Sequence, residues 1–461
     1  MATISNFPKL RVPAPLDPDF QPPVWFNRNY VARAKASGSA VPLVIGLERG
    51  RGLISRYETV VDPSAGETVR YVERIIKMLM WARGGWKIHF GGPKEVGEQI
   101  RRAYSPGGER AFDADLMTRV YERPVEVAIM NAGAVPAEKE MSAAIGGHLD
   151  GCRLGFDLGA SDYKVSAVQN GEVVYTDEFP WNPKDQADPN YHYTHLNDGL
   201  KKAAKHLPRV DAIGGSSAGV IVDNQIKVAS LLRAVPPERF AEAKNMFLRI
   251  RDEWKAPLEV ANDGDVTALA GALSLKVNGL LGIAMGSSQA AGYINPSGCM
   301  TGWLNELAFV PADYNPAAAA DEWSGDAGVG VMYFSQQAVN KLLPRAGIEL
   351  PADMALPERL VEVQRLMAGG DARAAKIYET IGVYLGCTIA FYREFYDFEH
   401  MLVLGRVTTG PGGDVVLEKA RAVLSTEFSE IADSVKLHVP DEKSRRIGQA
   451  VAAASLPAIK E

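Results

Sequence analysis

The sequence predicts an α/β protein in which a small α/β module precedes two lobes of similar build. Three stretches carry this prediction. Residues 153–176 (RLGFDLGASDYKVSAVQNGEVVYT) read as three short antiparallel strands joined by tight turns, and residues 280–298 (LLGIAMGSSQAAGYINPSG) repeat the order of strand, small-residue turn and strand. Ahead of both, residues 41–133 alternate apolar strand-like runs with runs of helical period. A hairpin recurring in two halves implies related lobes that close around a ligand.

Taken in order, residues 1–40 are rich in proline and short of periodicity (PAPLDPDFQPPVWFNRNY), which predicts an extended arm. Phe20, Trp25, Phe26 and Tyr30 give that arm apolar surface to bury, and a homodimer in which it wraps its neighbour is expected. Residues 41–150 form the N-terminal α/β module: a strand pair over 42–61, a helix over 68–82, a strand over 86–92, a helix over 93–105 and a strand over 125–133. Gly46, Gly50 and Gly52 there fit a glycine-bearing hairpin. After a linker over 136–149, the first lobe spans 151–275 and the second 276–461. The first contains a helix over 193–207, a strand with a Gly-rich end (VDAIGGSSAGV) and a helix leading toward Asp263, with an apolar strand ending just before Asn262-Asp263; the second contains a long helix over 376–396 and a strand over 401–404.

Composition narrows the function. A chain of 461 residues exceeds one core of about 100–200 residues, so two or three domains are expected. With 46% hydrophobic and 23% charged residues it reads as an ordinary globular protein. The net charge of −6 lacks the basic footprint of a nucleic-acid binder, so no nucleic-acid partner is expected. No window approaches the ~18 apolar residues of a membrane span, and MATISNFPKLRVPAP lacks the apolar core of a secretory signal; a cytoplasmic protein is expected. Cys152, Cys299 and Cys387 stand far apart and read as small apolar groups, and the pair His192 and His195 reads as solvated. No G-x-x-x-x-G-K-[ST] loop occurs.

The chemistry sits at the turns. Backbone amides at Gly159-Ala160-Ser161 can cradle a phosphate, with the Ser161 hydroxyl and the Lys164 charge added; Asp157, at the strand end, can hold Mg²⁺ directly or through water. A purely structural hairpin fits the same residues. The turn from Gly286 to Gly292 offers amides and the hydroxyls of Ser287 and Ser288. Asp263 follows a strand and opens a small-residue helix, a place for either a general base or a helix N-cap, with Asp265 as another possible cap. Ser216 and Ser217 stand at a third strand end, suited to substrate hydroxyls or to a tight passage of the chain.

In order along the chain, Asp-x-Gly-x-Ser at 157–161, the turn at 213–220, the loop at 284–292 and the strand 401–404 with Gly405 resemble the phosphate-1, connect-1, phosphate-2 and adenosine motifs of the actin, sugar kinase and heat-shock chaperone superfamily. Asn262-Asp263 before an Ala-rich helix resembles its ROK family (repressor, ORF, kinase), of which the chain looks like a divergent member with an N-terminal extension. The resemblance covers residues 151 to 450 and implies a two-lobed ribonuclease H-like (actin-like ATPase) fold with an additional N-terminal α/β module. It further implies an ATP-dependent carbohydrate kinase: Asp263 as general base, Asn262, Glu306 and Ser217 as sugar ligands, Gly159, Ser161, Lys164, Gly286, Ser287 and Gly405 at the nucleotide, and Mg²⁺ at Asp157. The departures are Ala261 for the family's Glu, Gly405-Arg406-Val407 for its three glycines, and Asn305-Glu306-Leu307-Ala308-Phe309 for its Gly-Glu-x-Gly-His segment. With Phe309 for the histidine and no cysteine cluster, no structural zinc is expected. The alternative is a sugar- or nucleotide-sensing protein that kept the fold without catalysis and without a DNA-binding domain.

Overall fold

A computed structural model describes residues 9–140, 145–439 and 442–459. From residue 9 the chain is irregular up to Pro22, and Pro23 at the first helical position, where a missing N–H costs nothing, opens α1 (Pro23–Ala36). The extended arm expected through residue 40 is therefore corrected: its second half is helical. The segment also binds its own chain. Val12 N donates to Glu427 (2.9 Å), Leu16 N to Thr380 Oγ1 (3.2 Å) and Gln21 N to Asp313 Oδ1 (3.0 Å), while Asp17 accepts from Arg345 and Tyr384. Phe20, Phe26 and Tyr30 are buried.

The module that follows contains β1 (Val41–Glu48), β2 (Ile54–Val61), α2 (Thr68–Arg83), β3 (Lys87–Gly91), α3 (Lys94–Ala103), α4 (Ala111–Tyr121) and β4 (Glu126–Met130). Its sheet runs β2-β1-β3-β4, antiparallel except for β3 and β4. Gly50 and Gly52 flank a short helical turn of the β1–β2 hairpin, as the glycine spacing predicts.

Next come β5 (Cys152–Leu158), β6 (Asp162–Gln169), β7 (Glu172–Pro180), α5 (Pro189–Ala204), β8 (Ala212–Ser217), β9 (Val220–Val222), β10 (Gln225–Val228), α6 (Phe240–Lys244), α7 (Met246–Trp254), β11 (Leu258–Asn262) and α8 (Asp263–Leu275). The sheet order is β11-β8-β5-β6-β7, parallel on the β11 side and antiparallel through the β5-β6-β7 meander. Asn170 and Gly171, both at positive φ, make the predicted two-residue turn. The chain continues through β12 (Leu280–Met285), β13 (Gln289–Ile294), α9 (Gln336–Ala346), α10 (Leu356–Ala368), α11 (Ala372–Tyr392), β14 (His400–Leu404), α12 (Pro411–Glu427), α13 (Ser429–Ala432), β15 (Lys436–His438) and α14 (Glu442–Ala454). Here the sheet order is β13-β12-β14-β15.

Two compact units result. One contains Met1–Met141, Ile283–Ala290 and Trp303–His438; the other contains Ser142–Gly282, Ala291–Gly302 and Val439–Glu461. Continuous lobes divided at residue 276 are thus replaced by interleaved segments: the N-terminal module joins the later half, and α14 joins the earlier one. The second exchange has a local cause. A Cβ on Gly214 would lie 1.8 Å from the Ala453 carbonyl, so glycine in β8 is what lets α14 lie against the strand. No helix among the described residues is long and apolar enough to cross a membrane.

Candidate active site

In the second unit, β5 and β6 pair with Asp157 opposite Lys164 and Leu158 opposite Tyr163. The turn between them is held from both sides: Gly159 N donates to Asp162 O (3.0 Å), and Trp181 donates its indole N–H to Gly159 O (2.9 Å) and its backbone N–H to Ser161 O (3.1 Å). Among the described residues the amides of Ala160 and Ser161 meet no acceptor, which suits them to an anion. Sequence reasoning missed Asp162. The Ser161 hydroxyl donates to Asp162 Oδ2 (3.0 Å) and Lys164 Nζ to Asp162 Oδ1 (3.2 Å), so both side-chain donors of the turn are engaged by a carboxylate.

The end of the neighbouring strands holds the acids. Alternation along β8 puts Ser216 and Ser217 on opposite faces. Ser216 Oγ donates to Asp157 Oδ1 (2.7 Å), whereas Ser217 is fully buried with its hydroxyl on the Ala218 carbonyl (3.4 Å). The Ser217 hydroxyl thus lies at the strand end beside that of Ser216. Asn262, the last residue of β11, caps α8 by accepting from Gly264 N (2.7 Å) while its Nδ2 donates to Gly219 O (2.9 Å). Capping therefore falls to Asn262, leaving Asp263 as the first helical residue, with Oδ1 accepting from Gly264 N (2.9 Å). Burial and then the negative charge of Asp157 push the Asp263 carboxyl up to about 6, against the Gly264 hydrogen bond. Burial likewise pushes Asp157 up, against the Ser216 hydrogen bond and the Lys164 charge.

The other unit contains the remaining residues. Ser287 and Ser288 are exposed at the β12–β13 turn, Gly286 N donates to Ser288 O (2.9 Å), and Gly286 O accepts from Gln336 N at the start of α9 (2.9 Å). Gly405 follows β14 at φ 104°, and a Cβ there would lie 2.4 Å from the Met285 carbonyl, so the loop after β14 passes directly behind the 286–288 turn. Gly286, Ser287 and Gly405 are thereby brought together. Glu306 donates its amide to Trp81 O (3.0 Å), and Phe309 packs on Trp81 with ring centroids 4.3 Å apart. An indole from the N-terminal module thus covers the residue aligned with the family's histidine. His192, read as solvated, is buried between the carbonyls of Pro183 and Leu231. Cys152 and Cys387 are buried, and Cys299 is half-buried.

No family model and no curated relative matches the sequence. Solved structures do match. The ROK hexokinase of Thermus thermophilus superposes with a TM-score of 0.51 at 15% identity, over 66% of this chain and 97% of that one. A ROK family transcriptional regulator, a homolog of the E. coli MLC protein, gives 0.52 at 18% identity, over 67% and 79%. The class follows from this likeness and from the β11-β8-β5-β6-β7 order: the chain has the α/β actin-like ATPase fold, with an additional N-terminal α/β module. More particularly, both of these similar structures are ROK proteins.

Proposed function

We propose that the chain is a divergent ROK protein acting as an ATP-dependent kinase on a hydroxyl of a sugar or sugar-like substrate. The observation that carries this reading is Asp263 at the junction of β11 and α8, with its carboxyl pushed to about 6 beside Asp157. A base must be ionised near neutral pH yet hold a proton well enough to take one, and a carboxylate raised this far meets both needs. Asp263 Oδ2, opposite the oxygen bound by Gly264 N, receives the proton of the substrate hydroxyl as that oxygen bonds to phosphorus and ADP departs.

The residues fit a nucleotide on two counts. The Ala160 and Ser161 amides have no acceptor among the described residues, and the exposed 286–288 turn is backed by the loop at Gly405. These groups would hold phosphate oxygens, and Lys164 would contribute charge. Asp157 would hold Mg²⁺, which supplies charge neutralisation on the transferred group. Asn262 and Glu306 are proposed as sugar ligands. A second reading, a sensor without phosphoryl transfer, is favoured by one observation: Asp162 already engages Ser161 and Lys164.

The test is a thermal-shift screen of sugars with and without Mg-AMPPNP, followed by ADP release from ATP for each hit. Stabilisation by both ligands with sugar-dependent ADP release is expected. Stabilisation by sugar without any nucleotide effect would favour the sensor.

A further inference from the structure

The exposed face of α5 borders a cavity of about 430 Å³, and none of the residues around it belongs to the candidate active site. Thr194, His195 and Asp198 line one end, and Lys201, Lys202 and Lys205 follow at helical spacing on the same face. At 1.5 Å per residue these ends lie roughly 16 Å apart along the helix. The floor is Tyr163 of β6, stacked on Phe179 (5.1 Å between ring centroids) and tilted against Trp181 (5.2 Å). A Cβ on Gly199 would lie 2.9 Å from Tyr163 Cε2 and 3.7 Å from its hydroxyl, so this glycine lets the ring reach the helix. Tyr163 is only 4% exposed, yet its hydroxyl has no hydrogen-bond partner among the described residues. A buried hydroxyl is costly to leave unpaired, and a ligand oxygen in the cavity would satisfy it.

The other groups divide by polarity. His195 Nδ1–H donates to Tyr191 O (2.8 Å), because a carbonyl can only accept, and the neutral ring keeps Nε2 as an acceptor. Lys202 Nζ stands 4.3 Å from the Phe179 ring centroid and Lys201 meets Glu253 (3.1 Å), whereas Lys205 has no acidic partner among the described residues. Cations in a last turn also answer the negative end of a helix, but that accounts for neither the tyrosine hydroxyl nor the histidine acceptor. Ammonium groups at one end, with a carboxylate and Nε2 at the other, suit a molecule that is anionic at one end and carries hydroxyls at the other. We propose that this cleft is a second ligand site, taking a phosphate ester of a small polyhydroxylated molecule, with its phosphate on Lys202 and Lys205 and its hydroxyls on Asp198 and His195. The site does not depend on the kinase reading.

The test is calorimetric titration of the full chain with D-glucose 6-phosphate, D-mannose 6-phosphate, sn-glycerol 3-phosphate and inorganic phosphate, with Mg-AMPPNP present to compete at the candidate active site. At least one ester is expected to bind wild type, about tenfold or more weakly when Lys202→Gln and Lys205→Gln are combined, with the melting temperature unchanged because both lysines are exposed. Asp198→Asn should weaken the ester and leave inorganic phosphate unweakened. Equal ester affinity in wild type and the lysine variant would overturn the inference. Inorganic phosphate binding as tightly as the esters would mark a contact with free anions and overturn it as well, and so would a wild type that binds none of the esters. Ester binding lost in Asp263→Asn but kept in the lysine variant would assign the ester to the candidate active site and overturn the inference, leaving the kinase reading standing.

Discussion

At the scale of single residues, Asp263 ties function to stability. A carboxyl raised from the ordinary range to about 6 favours folding when protonated; that contribution is complete below the unfolded value near 3.8 and is lost as pH rises through 6. At neutral pH the ionised group therefore opposes folding, by about 2–3 kcal/mol at most for a shift of this size. Asp263→Asn should abolish phosphoryl transfer, preserve sugar binding and stabilise the fold in denaturant titrations at pH 7.5, with the gain vanishing near pH 4. The kcat/KM of wild type should fall on the acid side with a midpoint near 6. Asp162 invites a converse test. Asp162→Asn frees Ser161 and Lys164, and Mg-AMPPNP affinity by calorimetry should rise about threefold to tenfold, the scale of a partly exposed ion pair. Unchanged affinity would remove Asp162 from the account.

Elements position these residues, and much of their placement was legible. The turn at 159–161, the hairpin at 286–288, the β11–α8 junction and α11 were predicted because small residues punctuate strongly patterned runs. The choice between Ser216 and Ser217 was not legible, since neighbouring strand residues face opposite ways and the parity depends on register with β5. Helix α4 escaped notice because AFDADLMTRVY mixes its apolar positions without a capping side chain. Helix α14 was hidden for a different reason: its role, covering strands with glycines at 155 and 214, is a long-range match. The cap at Asn262 was not legible because the same residue type serves as a helix cap and as a sugar ligand. Gly405 carries the element-scale prediction. At φ 104° and with Met285 behind it, Gly405→Ala should destabilise the fold by about 2 kcal/mol or more and weaken Mg-AMPPNP binding, as chemical denaturation and calorimetry would report.

For the molecule as a whole, interleaving of segments between units explains why simple lobe boundaries fail. The N-terminal segment docks on α9, α11 and α12 of its own unit through Asp17, Leu16 and Val12. Deletion through residue 22 removes the buried Leu16 and Phe20, and should lower the melting temperature by about 5–10 °C without altering sedimentation. A change of oligomeric state would instead return the segment to the role of intersubunit arm. The N-terminal module, through Trp81 against Phe309 and through three cations on Asp326, builds the region where the family resemblance is weakest.

The central claim, that this fold transfers phosphate to a sugar with Asp263 as base, is tested most directly by ADP release from Mg-ATP across a hexose panel, for wild type and Asp263→Asn. Sugar-dependent release in wild type, lost in the variant while sugar binding persists, is the predicted result. Release equal in both proteins would contradict the assignment of the base, and no release from wild type with any sugar would contradict the kinase.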